Sequence, residues 1–358
     1  MAQANSDDIS PAGASEAEVI CERVGRAGMI TLNRPKALNA LTLGMVRGMR
    51  EALDAWADDP QVGCVVVEGA GEKAFCAGGD IRRLVEAGRA GRPEEALAFW
   101  REEYELNALI ADYPKPYIAL IDGICMGGGV GISLHGSHRV AGERYLFAMP
   151  EVGIGFFPDV GASYALPRLP GRTGLYLALT GARLKCADAL ALGLASHAVA
   201  SQDFDAIREN LQAGEAPDSV LSAHARDPGT PPLDAQRPMI DRVFDEGSVA
   251  EIIADLEFEG SEAAGQIAKT ISSKSPTSLR IAFEQMRRGA EIDFREAMRM
   301  EFRIVSRILD GKDFYEGVRA VLVDKDQKPQ WDPAKLADVS DEVVAAYFAP
   351  LGDAELDV

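Results

Sequence analysis

Short apolar runs alternate with helix-period patterns through the first two hundred residues. Val19 to Val24 and Gly28 to Leu32 predict two strands joined by a turn at Gly25–Gly28. Pro35 ends the second strand, and Asn39 or Thr42 is placed to cap a helix. Met45, Met49, Leu53 and Trp56 give that helix one apolar face. Cys64 to Val67 is a β-branched run and predicts a buried strand. The Gly-rich segment GAGEKAFCAGGDIRRL then feeds a helix beginning near Asp80, with a polar connection over residues 88–94. Glu95 to Ile110 predicts a further helix, which Pro114 and Pro116 end. Tyr117 to Ile121 predicts a strand entering the stretch DGICMGGGVGISLHGSHRVAGERYLFAMPEVGIGFFPDVG, residues 122–161. Strands alternating with helices in this way predict an α/β domain.

After Ser201 the texture changes. Residues 225–238, ARDPGTPPLDAQRP, predict a loop or linker. From Met239 onward helical patterns dominate. Phe294, Met298, Phe302, Val305 and Leu309 form one stripe of a helix. Arg295, Arg299, Arg303 and Arg307 form another, expected to be a solvated face with acidic partners. The expected division is a disordered lead-in over residues 1–15, an α/β core with the site over 16–205, and a mainly helical region over 206–358.

Charge narrows the partners. The 358-residue chain carries a formal net charge of −19, which argues against nucleic acid as a bulk partner. A phosphate-bearing small ligand needs only a local basic cluster and stays open. Five dispersed cysteines with no CxxC pair suggest reduced thiols and a cytosolic protein. The N-terminal stretch has acids, no arginine and no apolar core, unlike a secretory or mitochondrial leader. No run approaches the roughly 20 apolar residues that a membrane span requires.

Two Gly-rich turns each follow a predicted strand: CAGGDI at 76–81 and CMGGGVG at 125–131. A missing Cβ lets backbone approach a ligand, and a helix start leaves unpaired N–H groups. One N–H from each turn is enough to form an oxyanion hole around a carbonyl oxygen. Glu151, after Met149–Pro150, is a candidate general base or nucleophile. Asp159 lies eight residues on, after two phenylalanines and a proline that would desolvate both carboxylates. His135 and His138 are expected on one face of the helix after the triple glycine. No further ligand is spaced to complete a metal site with them.

LNRPKALNAL, AFCAGGDI, GGGVG and the MPE turn resemble the crotonase superfamily of acyl-CoA enzymes, also called the enoyl-CoA hydratase/isomerase family. GICMGGGVGISLHG, FAMPEVGIGFFPDVGASY, SPTSLRIAF and DFYEGVRAVLVDKDQKPQW resemble its branch that hydrolyses 3-hydroxyisobutyryl-CoA, a β-hydroxyacyl thioester of valine breakdown. The resemblance spans Val19 to about Trp331. It implies a spiral of ββα units with a C-terminal helical region, and thioester hydrolysis. It implies oxyanion donors at Gly79 and Gly128, the catalytic glutamate at Glu151, and the branch's acid at Asp159. Glu103 matches a further ligand-contacting position. Arg34 and Lys36, in the NRPKALNAL turn, match the approach of CoA, and Lys325 is a further cation in the C-terminal signature. The substrate is an acyl-CoA, CoA being part of it, with no separate cofactor and no metal. A homo-oligomer is compatible with the resemblance.

Hydratases of the superfamily carry a second glutamate three residues beyond the middle glycine, where this chain has Gly131. Hydration or isomerisation is therefore the weaker alternative, and a catalytically silent acyl-CoA binder is a third.

Overall fold

The computed structural model describes residues 17–358, so the expected lead-in over 1–15 lies outside the described residues. The described residues hold ten strands: β1 (Val19–Val24), β2 (Ala27–Leu32), β3 (Cys64–Gly69), β4 (Ala74–Cys76), β5 (Tyr117–Ile121), β6 (Ile124–Met126), β7 (His138–Ala141), β8 (Leu146–Ala148), β9 (Leu184–Lys185) and β10 (His197–Ala198). They form a six-stranded sheet in the order β1-β2-β3-β5-β7-β10 and a four-stranded sheet in the order β4-β6-β8-β9. The chain alternates between them. Strands β3, β5 and β7 of the larger sheet are each followed at once by a short strand of the smaller one, β4, β6 and β8, and each of these pairs is followed by helix. This is the expected spiral of ββα units. The β1–β2 and β8–β9 pairs are antiparallel and the rest are parallel. Between β4 and β6 the register shifts: Ala74 faces Ile124 and Cys76 faces Cys125, so Phe75 is an extra residue.

The larger sheet is covered on both faces, which is why β3 and β5 read as unbroken apolar runs. Ile30, Val65, Val67 and Ala119 join the main core with Met45, Met49 and Leu53 of α1 (Leu43–Ala57). Met29, Val66, Ile118 and Leu120 face the other way, onto Ile207, Leu211, Val220 and Leu221. The main core also takes in residues of the C-terminal helices as far as Leu356.

Of the two candidate caps for α1, Thr42 is the one used: its Oγ1 accepts the N–H of Met45. Asn39 instead adopts a left-handed conformation and donates its amide to the carbonyls of Ala70 and Ala74. Two helices follow, α2 (Ile81–Arg89) and α3 (Pro93–Ala111), so the polar connection is shorter than expected. The triple glycine opens α4 (Gly128–Leu134). His135 caps the end of α4 and His138 opens β7, so the two do not share a helix face. The arginine stripe lies on the Phe294–Ile308 helix and has acidic partners, but several of its members hold the chain's own end. Arg303 pairs with Glu296 and Glu355, while Arg299 and Arg307 donate to the carbonyls of Val358 and Tyr347. Among the described residues no helix is long and apolar enough to cross a membrane.

Candidate active site

Parallel strands β4, β6 and β8 of the small sheet end on the same side, and each end delivers one functional group. This is the carboxyl edge where ligands of parallel α/β sheets bind. Beyond β4, Leu41 forms a parallel bridge with Gly79: its N–H donates to the carbonyl of Gly78 and its carbonyl accepts from Asp80. That bridge turns the N–H of Gly79 itself away from Leu41. Beyond β6, Gly127 takes φ +48°, which favours glycine. Gly128 is then the first residue of α4, where an N–H has no intrahelical acceptor. Beyond β8, Pro150 leads into a tight turn over Glu151–Ile154.

The three ends meet. A methyl group placed on Gly127 would lie 3.3 Å from Oε1 of Glu151 and 3.3 Å from Cα of Gly78. One placed on Gly128 would lie 3.4 Å from the carbonyl carbon of Gly78 and 2.5 Å from Oε1 of Glu103. All of them line one cleft of about 830 Å³, with Asp159, Phe99, Trp100 and Phe156. Trp100 and Phe156 stack with ring centroids 5.5 Å apart.

Four carboxyl groups are buried here: Glu103, Glu151, Asp159 and Glu301 are 2%, 7%, 5% and 0% exposed. No arginine or lysine pairs with them among the described residues, so each is pushed toward its protonated form. Burial, then the Asp159 charge, raises Glu151 well above the usual carboxylate range. Burial pushes Asp159 up to about 7, opposed by the 2.9 Å hydrogen bond that it accepts from the Tyr104 hydroxyl. Burial, then Asp159, raises Glu103 and takes Glu301 to about 8. Among the described residues, Oε2 of Glu151 and Oε1 of Glu103 have no hydrogen-bond partner.

The family model described as enoyl-CoA hydratase/isomerase matches residues 27–348. The chain belongs to the enoyl-CoA hydratase/isomerase family. It is 50% identical over 349 residues to the mitochondrial 3-hydroxyisobutyryl-CoA hydrolase of Danio rerio, covering 95% of this chain and 91% of that protein. The Homo sapiens protein of the same name is 46% identical over 349 residues, with 95% and 90% covered. Among solved structures, a carnitinyl-CoA dehydratase from Mycobacterium thermoresistibile superposes with a TM-score of 0.91 at 44% identity, covering 95% of this chain and 98% of that one. An enoyl-CoA hydratase from Rhodobacter sphaeroides superposes at 0.89 and 41% identity, covering 96% and 100%.

These relatives overturn the cytosolic location expected from the thiols, because those named hydrolases are mitochondrial. Unpaired cysteines mark a reducing environment, and that does not single out the cytosol. Of the residues expected at the site of this family member, Gly79, Gly128, Glu103, Glu151, Asp159 and Lys36 line the cleft, as does Lys325. Arg34 does not. Its guanidinium is engaged by Glu18 and Asp80, at 3.1 and 3.0 Å, and by the carbonyl of Ala40. Arg34 therefore braces the Gly78–Asp80 turn from outside.

Sequence reading missed Tyr104, Lys274 and Glu301. Lys274 lines the cleft beside Gly153, and burial lowers the proton affinity of its ammonium group. Glu301 carries a legible signal: it is three residues after Met298 and four before Val305, an acid set in an apolar stripe.

The raised carboxyls have a measurable consequence. Asp159 titrates near 3.8 when unperturbed and near 7 in the fold. Between those values the unfolded chain has released a proton that the folded chain still holds. Stability from this group is thus complete below about pH 4 and declines as pH rises toward 7. Glu301 extends the decline toward 8. The Asp159→Asn variant should show a shallower fall in melting temperature between about pH 5 and pH 8 than the parent. An identical slope in the two proteins would remove Asp159 as a source.

Proposed function

We propose that this chain hydrolyses the thioester bond of β-hydroxyacyl-CoA substrates, chief among them 3-hydroxyisobutyryl-CoA of valine breakdown, giving 3-hydroxyisobutyrate and CoA. The observation that carries this reading is the convergence of the Gly79 turn, the Gly128 helix start and the Glu151 carboxylate on one cleft, in a chain half identical to hydrolases of that name. The thioester oxygen sits between the N–H groups of Gly79 and Gly128. Such donors stabilise the tetrahedral oxyanion by about 3–4 kcal/mol each. Glu151, desolvated and proton-hungry, takes the proton of an attacking water or adds to the carbonyl itself. The C–S bond then breaks, the new C–O bond remains, and CoA leaves as a thiolate that needs little acid assistance; on the route through Glu151 itself, a water then cleaves the resulting anhydride, which releases the acid and restores the carboxylate. Asp159 and Glu103 face the acyl group, and Asp159 hydrogen-bonds its β-hydroxyl. Lys36, Lys274 and Lys325 supply the local positive charge for the phosphates of CoA, which an acidic chain otherwise lacks. CoA is part of the substrate, and no separate cofactor enters the scheme.

Hydration is disfavoured by packing as well as by residue type. A side chain on Gly131 would meet Cβ of Val160 at 2.6 Å and the amide of Asn107 at 2.9 Å. No second carboxylate fits there. The hydratase and dehydratase titles of the two solved relatives therefore do not transfer on fold alone.

A panel of CoA thioesters, with and without a β-hydroxyl, scored for free thiol and for enoyl absorbance, tests the reading. Thiol release from the hydroxylated members is expected; enoyl turnover without thiol would overturn it. Within that panel, Asp159→Asn should cost about 10- to 100-fold in kcat/KM on hydroxylated substrates, the worth of a lost charge-assisted hydrogen bond. Plain acyl thioesters should lose much less, and equal losses would deny the hydroxyl contact.

A further inference from the structure

The turn that presents Asp159 is built against its own conformational preference. Val160 is β-branched and adopts φ +54°, a left-handed conformation such residues avoid. Strain of this kind persists only where surrounding structure over-determines it. Here side chains from three elements do so. Oε2 of Glu301 accepts the N–H of Gly161 at 2.8 Å, and Oε1 accepts that of Ser163 at 3.0 Å. Gln285, on the Pro276–Gly289 helix, donates to the carbonyl of Pro158 and to Oγ of Ser163. His135 meets the carbonyl of Val160 at 2.7 Å through Nε2. Burial holds that imidazole neutral, with its proton affinity lowered to about 4, so Nε2 acts as the N–H donor.

Glu301 is the anomaly in this set. It sits on the apolar stripe of the Phe294–Ile308 helix, is fully buried, and does not line the cleft. An acid buried without a cation is costly, and an apolar residue would fill the stripe without that cost. What the acid does provide is a two-point grip on the backbone immediately after Asp159–Val160.

We propose that Glu301 is a positioning residue: its carboxyl group locks the strained Val160–Gly161 bend, and that lock aims Asp159 at the substrate while Tyr104 fixes Oδ2 of Asp159. The C-terminal helices thereby act on the reaction through main-chain hydrogen bonds and not by touching the ligand. This rests on the role given to Asp159 above.

The test is a double-substitution cycle in the full-length protein, read as thiol release from a β-hydroxyacyl-CoA. Glu301→Gln keeps shape and one acceptor but turns an amide N–H toward one of the two backbone donors. A displacement of Asp159 by an ångström or so should lower kcat about 10- to 100-fold. In an Asp159→Asn background the same change should cost less than about twofold, because the group being aimed is already disabled. A merely structural role predicts equal factors in both backgrounds, and that result, or full activity of Glu301→Gln, would overturn the proposal. Failure of the underlying reading looks different: Asp159→Asn alone would then leave the rate on hydroxylated substrate unchanged. Should Glu301→Gln not fold, Gln285→Met removes the neighbouring grip on Pro158 with little change in volume. The same non-additivity with Asp159→Asn is expected of it, and additivity would count against the lock.

Discussion

Exchanging Glu151 for glutamine should lower thiol release by about three orders of magnitude while a non-hydrolysable thioether analogue still binds within a few-fold of the parent. The swap keeps size and leaves the backbone carbonyl of Glu151 free to accept from Phe156, so the turn that carries it stays closed. What disappears is a carboxylate whose Oε2 has no partner among the described residues and whose proton affinity burial has raised. An amide in that position neither accepts a proton nor adds to a carbonyl. Thiol-reagent assays and calorimetric titration measure the two quantities. Turnover near the parent level would remove Glu151 from the chemistry. A single turnover in labelled water, with hydroxylamine trapping beside it, separates its two duties: heavy oxygen in the Glu151 side chain or a hydroxamate formed on it marks a mixed anhydride, and neither appearing marks activated water.

Adding one methyl group at Gly128 should cost about 100- to 1,000-fold in kcat, the range measured for loss of one oxyanion donor. The methyl would stand 2.5 Å from Oε1 of Glu103 and 3.0 Å from Cδ1 of Leu41, with the Gly78 carbonyl carbon at 3.4 Å. Something must yield. Leu41 is fully buried and bridges Gly79, the donor proposed opposite Gly128. One substitution therefore disturbs both halves of the grip. A Gly128→Ala protein that melts like the parent yet keeps its rate would show that this N–H does not hold the thioester oxygen.

The alternation of strand and helix was legible because buried parallel strands write themselves as β-branched runs, as Cys64 to Val67 does; the ββα unit came from the family resemblance, since the short β4 lay inside what read as a Gly-rich loop. The α1 face was legible because its period is 3.6. The two glycine turns and both loop carboxylates were legible as residue types set after strands. Which sheet each strand joins was not. β3 and β4 follow one another in sequence but pair with different partners, and only long-range hydrogen bonding decides that. Arg34 looked like a phosphate ligand because the resemblance sets its turn at the approach of CoA, and the acids that engage it, Glu18 and Asp80, lie 16 and 46 residues away. Asn39 looked like a cap because it is an asparagine before a helix; its amide serves two carbonyls of a distant loop instead. Tyr104 was hidden for the opposite reason, and Glu301 showed only as an acid in an apolar stripe, with nothing local to say what it holds. Each lies in a helix whose neighbours explain it well enough, and its importance comes from what packs across.

The extra residue at Phe75 sets the length of one arm of a pair of tongs. Because two residues of β4 answer to one of β6, the chain beyond it reaches one step further than its neighbour before bending. A deletion there would leave the ladder continuous and retract the first jaw by about 3.3 Å, more than a hydrogen bond spans. Lineages that gain or lose single residues in this small sheet should thus forfeit catalysis well before they forfeit the fold.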